Sequence, residues 1–298
     1  MMPSIKWTSD PIVRRLRWVM IGTMLFSLFN TLIGQPEGFW LNPENAIRGD
    51  GSRLHRHVNH TFEFFLGYGW QPYVVSCLIY FTLAFLVVSV LSRRAALISV
   101  FSFIFGHYYG GCNWLAVRWH LGFTGVAYYS LALCAAVAFS LSPPSGNSGD
   151  QIVRRLRWAI VVVFFVDFLL TSLGQPNSYW HHPETVHEGN AMLRWFMLKG
   201  WAAYVLMDLL YCLGVFLFVS FLPRFFAMMV IFGYAFGYFD GASNWLFYEW
   251  KLGMEAPVIY GMALSLIIVL MSFGRSKKPD LAPDPALEPT VAASSFCS

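Results

Sequence analysis

The sequence predicts an all-α polytopic integral membrane protein, with eight transmembrane helices arranged as two tandem four-helix repeats in parallel (same) orientation. Three observations carry this reading. First, the 298-residue chain is 57% hydrophobic and only 12% charged, about half the charge of an ordinary soluble domain. Second, its apolar residues fall in unbroken runs of about 17–22 residues, the length a helix needs to cross a bilayer. Third, the chain repeats itself. Ile12-Val-Arg-Arg-Leu-Arg-Trp18 returns unchanged as Ile152-Val-Arg-Arg-Leu-Arg-Trp158, and Gly34-Gln-Pro36 returns as Gly174-Gln-Pro176. The segment Phe105 to Gly122 returns as Phe236 to Gly253, keeping both early glycines, Asn-Trp-Leu, a Trp and the closing Leu-Gly.

In chain order, residues 1–17 are short and basic, and the run Trp18–Gly34 follows without a small-residue cleavage site, which reads as a retained signal anchor. Gln35 to about Trp70 is polar, aromatic and rich in turn-forming Gly and Pro. Apolar runs follow at Tyr73–Leu91, Ala95–Gly111 and Gly122–Leu141, closing a first repeat over residues 1–141. Residues 142–151 read as a Pro/Gly/Ser-rich linker. The second repeat, 152–273, carries runs at Trp158–Gly174, Trp201–Leu222, Phe225–Gly241 and Ala256–Phe273. Residues 274–298 are basic, then Pro/Ala-rich, and are expected to be a disordered cytoplasmic tail.

Four spans per repeat return the chain to its starting side, so the two repeats insert alike, related by an axis along the membrane normal. Lys and Arg concentrate on one set of segment ends: Lys6, Arg14, Arg15, Arg17, Arg93, Arg94, Arg154, Arg155, Arg157, Arg224, Arg275, Lys277 and Lys278. The positive-inside rule then places both termini in the cytoplasm, N-in and C-in. Most tryptophans fall on the opposite side, as an interfacial cap. The net charge of +4 is small and the basic residues cluster at segment ends, which fits membrane topology and no nucleic-acid partner. The five cysteines have no CxxC spacing and most sit in apolar runs, as buried thiols do.

Two kinds of pattern carry candidate chemistry. In the third span of each repeat, small residues recur every four positions: Ser102, Gly106 and Gly110, then Gly233, Gly237 and Gly241. That spacing puts them on one face, where another helix is expected to approach closely. Asn113 and Asn244 end each face with a polar group. The second pattern is acidic. Asp167 lies seven residues before Gly174, and Asp208 seven after Trp201, so both sit roughly 10 Å below the same membrane boundary. Each lies on a polar stripe, Asp167 with Thr171, and Asp208 with Tyr204 and Tyr211. The first repeat keeps the stripes without the charges, as Ser27 with Thr31 and as Tyr73, Cys77 and Tyr80. Carboxylates at that depth mark a functional site by default. Facing each other, they would share a proton or hold a cation, because adjacent carboxylates resist joint ionisation. The plainer alternative is a pair of hydrogen-bonded packing groups.

The histidines lie outside the spans or at their outer ends. His55, His57 and His60 have a spacing that suits a transition metal, but they fall in a segment the second repeat lacks, and a solvated loop accounts for them equally. Glu249 with His120 and His107 can be read as an acid/base set at the outer rim or as solvated charge. No Ser/His/Asp order, phosphate loop or zincin motif occurs, and the cofactor, if any, is unknown from the sequence. Three functions follow from these features. The first is a carrier or pore for a small solute or ion, with a proton or cation site in the second repeat. The second is a membrane-embedded enzyme acting at the outer face. The third is a non-catalytic subunit that packs against a partner membrane protein or a second copy of itself. In each, the bilayer is the first partner.

Overall fold

Asp10 starts the first span: its carboxylate accepts from the backbone N–H groups of Ile12 (2.9 Å) and Val13 (3.0 Å) ahead of Pro11 at the first helical position. The resulting helix α1 (Pro11–Ile33) is the first of ten in the computed structural model, which describes residues 9–47, 61–142, 148–188, 191–253 and 255–273. The others are α2 (Thr61–Leu66), α3 (Trp70–Val90), α4 (Arg93–Asn113), α5 (Gly122–Leu141), α6 (Ser148–Gly174), α7 (Ala191–Met197), α8 (Trp201–Phe218), α9 (Arg224–Asn244) and α10 (Glu255–Ser272). Eight of them are long and apolar enough to cross a bilayer. Their outward faces expose large apolar side chains, among them Phe29, Phe139, Phe165 and Leu266, which only a lipid environment accommodates over so wide a surface. The chain is a polytopic integral membrane protein.

Helices α4 and α9 lie at the centre of the bundle. Phe101 stacks on Phe232 at 5.7 Å between ring centroids, and Phe105 meets Phe236 at 4.9 Å. Around them, α1 packs on α4 and α6 packs on α9. The last span of each half crosses to the other half, so that α5 lies on α9 and α10 lies on α4. The peripheral helices α3 and α8 are held through the arginines of the duplicated motif. Arg17 donates to Ser89 Oγ and lies over the Phe85 ring at 4.8 Å. Arg157 donates to Ser220 Oγ at 2.6 Å and lies over Phe216 at 4.7 Å. The motif therefore has a packing role: its third arginine reaches back and pins a neighbouring helix.

At the opposite end of the bundle, α4 and α9 finish in wide turns, Trp114–Arg118 and Trp245–Glu249, closed by Trp119 N–H to Trp114 O and Trp250 N–H to Trp245 O, both 3.0 Å. Each first tryptophan lies on the glycine that ends an earlier span, Trp114 on Gly34 and Trp245 on Gly174, so closely that a Cβ at either glycine would overlap the indole. The turns continue into backbone in the left-handed region at His120 (φ 53°) and Lys251 (φ 53°).

Two details add to the sequence reading. The segment expected to be a linker is partly helical, since α6 begins at Ser148. The glycine faces do not bring backbones together along their whole length. Beside Gly106 and Gly237 a Cβ would meet nothing within 4 Å, and a Cβ at Gly110 or Gly233 would make only ordinary contact, with Ser27 Oγ (3.7 Å) and Cys134 Sγ (3.8 Å). Spacing alone does not separate a face meeting a neighbour from one facing space. At Gly237 that space is a cavity.

Candidate functional site

The polar stripes of α6 and α8 converge. Asp167 and Thr171 on α6, and Asp208 and Tyr211 on α8, line one cavity of about 440 Å³, within the range of small-molecule sites. Its third wall is α9, with Gly233, Tyr234, Gly237 and Tyr238. The glycines open the wall, and Gly241 keeps it open at the acid, because a Cβ there would stand 3.2 Å from Asp167 Oδ1. Asp167 is 8% exposed and Asp208 2% exposed. Tyr204, one turn before Asp208, stands behind the lining: it is 1% exposed and stacks on Phe168 at 5.5 Å.

The roof comes from the chain between α6 and α7. Gln175 fixes it with two hydrogen bonds: its Nε2 donates to His187 O at 2.8 Å, and its Oε1 accepts from His187 N–H at 2.9 Å. The next residue, Glu188, thereby reaches the cavity. The same clamp joins Gln35 to Ile47, at 3.0 and 2.9 Å. His187 also pairs with Glu249 at 3.2 Å, tying the roof to the end of α9. Nearby, the buried Tyr179 phenol donates to Met197 O at 3.3 Å, and burial pushes that phenol above its ordinary range.

Three acidic side chains thus line the cavity with no Lys, Arg or His among the described lining residues. A carboxylate in such a place calls for a proton or a cation. Among the described residues no group of three His, Cys, Asp or Glu is disposed to hold a metal ion, so the acids do not form a ready-made divalent cage. Stacked tyrosines complete the wall, Tyr211 on Tyr234 at 5.8 Å and Tyr234 on Tyr238 at 4.3 Å.

The other predicted site residues fall elsewhere. Asn113 and Asn244 join the two halves: Tyr248 donates to Asn113 Oδ1 at 3.4 Å and Tyr109 to Asn244 Oδ1 at 3.3 Å. His107 lies against the Tyr80 and Phe81 rings. Glu249 meets His187, not the predicted His120 or His107. His55, His57 and His60 lie outside the described residues. Sequence reasoning missed Glu188, Tyr234, Tyr238 and Trp245 as lining groups. One signal was available for the acid: at the repeat offset of the preceding segment, Glu188 replaces Arg48, a reversal of charge. The chain matches no protein-family model, no curated protein and no solved structure.

Proposed function

We propose that this protein is a carrier or pore for a small cationic solute, with its cation or proton site in the second of two parallel four-helix repeats. The single observation that carries the reading is the convergence of Asp167 and Asp208, with Glu188 at the rim, on one cavity within the membrane-spanning bundle that has no Lys, Arg or His among its described lining residues. Thr171, Tyr211 and the tyrosine wall supply the remaining polar lining, and Tyr204 holds Asp208 from behind.

Contacts that recur at the repeat offsets support the two-repeat arrangement. Examples are Arg17 on Phe85 with Arg157 on Phe216, Trp114 on Gly34 with Trp245 on Gly174, and the two glutamine clamps. Phe101 and Phe105 meet their own counterparts, Phe232 and Phe236, which suits an axis between α4 and α9. The second repeat alone replaces Ser27 and Cys77 by Asp167 and Asp208, so duplication supplies the scaffold and one half supplies the charge. With N-in, C-in topology the acidic cavity lies toward the outer face. An impermeant thiol reagent added outside should then label a cysteine at Ser52 or Asn190 and spare one at Ser145 or Ala282; labelling of Ser52 and Ser145 from the same face contradicts it.

The functional test is flux. Vesicles containing the protein should take up a monovalent cation probe such as thallium, or dissipate a proton gradient, faster than empty vesicles. Equal rates would remove the transport reading.

A further inference from the structure

Among the described residues, two atoms in the cavity wall, Asp208 Oδ1 and the Tyr234 hydroxyl, meet no hydrogen-bond partner, although their residues are 2% and 7% exposed. Buried polar atoms left this way are costly and rare in folded proteins. They are best accounted for by a ligand that supplies a donor beside the carboxylate.

The cavity also has an extension. Met207, Tyr211 and Val215 line both it and an adjoining apolar groove of about 390 Å³. That groove follows α8 past Leu210, Gly214 and Phe218. Leu210 and Phe218 are more than half exposed, so the groove opens on the face of the bundle that meets lipid. Beside Gly214 a Cβ would meet nothing within 4 Å. Tyr211, 44% exposed, stands at the junction of the polar and apolar parts.

Resting on the reading of the cavity as a cation site, we infer that its ligand is an organic ammonium ion carrying an apolar arm. The ammonium N–H groups donate to Asp208 Oδ1 and to the Asp167 carboxylate, and the tyrosine rings add cation–π attraction. The arm leaves over Tyr211 and lies in the groove, where each methylene removed from water adds to affinity. A bare metal ion would leave this groove without a role, and the described residues offer it no three-ligand cage. The route to the site is lateral, from the bilayer.

Binding of n-butylammonium and n-octylammonium to the full-length protein in nanodiscs, with empty nanodiscs subtracted, tests the inference. Octylammonium should bind at least about tenfold more tightly than butylammonium, and octanol should not displace it. Asp208→Asn should weaken both amines together. Gly214→Leu, which fills the groove from a position facing open space, should flatten the dependence on chain length. Equal affinity for the two amines, displacement by octanol, or an unchanged chain-length dependence in Gly214→Leu would each overturn the inference. Thallium uptake on the same preparation separates the two levels. Uptake without chain-length-dependent amine binding defeats the ligand class and leaves the cation site standing. Absence of both defeats both.

Discussion

Asp208→Asn is expected to lower cation uptake by about 10- to 100-fold, the loss that follows from removing one charge-assisted interaction, while the protein still folds and inserts. Among the described residues one Asp208 carboxylate oxygen has no hydrogen-bond partner at 2% exposure, so the fold makes no use of that oxygen. Asparagine keeps the shape, removes the buried acid and leaves Tyr204 and Phe168 in place. A packing residue behaves in the opposite way: its neutral isostere lowers the thermal midpoint and leaves the uptake rate of the surviving folded protein alone. Measuring uptake and melting on the same sample separates these outcomes. A melting temperature that falls while specific uptake holds would assign Asp208 to structure.

The second large effect concerns glycines and divides them in two groups. Gly174→Ala should destabilise the protein by about 1–3 kcal/mol through overpacking against the Trp245 ring, which outweighs the gain of about 0.5–1 kcal/mol for replacing a helical glycine. Gly34→Ala should do the same against Trp114. Gly237→Ala meets open space and should be neutral or slightly stabilising. Gly237→Leu should fold and lose uptake, because the new side chain occupies the cavity it lines. Melting temperatures of the four variants in one detergent check the division. Comparable destabilisation by Gly174→Ala and Gly237→Ala would show that the space beside Gly237 closes in the membrane.

The eight apolar runs appear as eight long helices because hydropathy is local and bilayer thickness sets the length. The acid stripes were legible for a related reason. Spacings of three and four put Asp208, Tyr204 and Tyr211 on one side of α8 wherever that helix is placed. What escaped the sequence depends on neighbours. Gly237 and Gly174 are both glycines of apolar helices, yet one faces a cavity and the other the Trp245 indole, which only the packing of distant segments decides. Glu188 reaches the cavity because Gln175 grips the backbone of His187 twelve residues away, a long-range bond that no periodic pattern announces. Tyr234 and Tyr238 carry no periodic signal of their own, and they line the cavity only because α8 and α9 leave space between them. Arg17 and Arg157 read as topology signals, yet they also hold α3 and α8 through Phe85 and Phe216.

The most direct test of one shared carboxylate site is a double-mutant cycle on cation uptake, comparing Asp167→Asn, Asp208→Asn and the double variant in the same vesicles. Two carboxylates that hold one cation act as a unit, so the double variant should be no slower than the slower single variant to within about threefold. Losses that multiply, or an Asp167→Asn variant that transports at the wild-type rate, would mean that the two acids do not form one site.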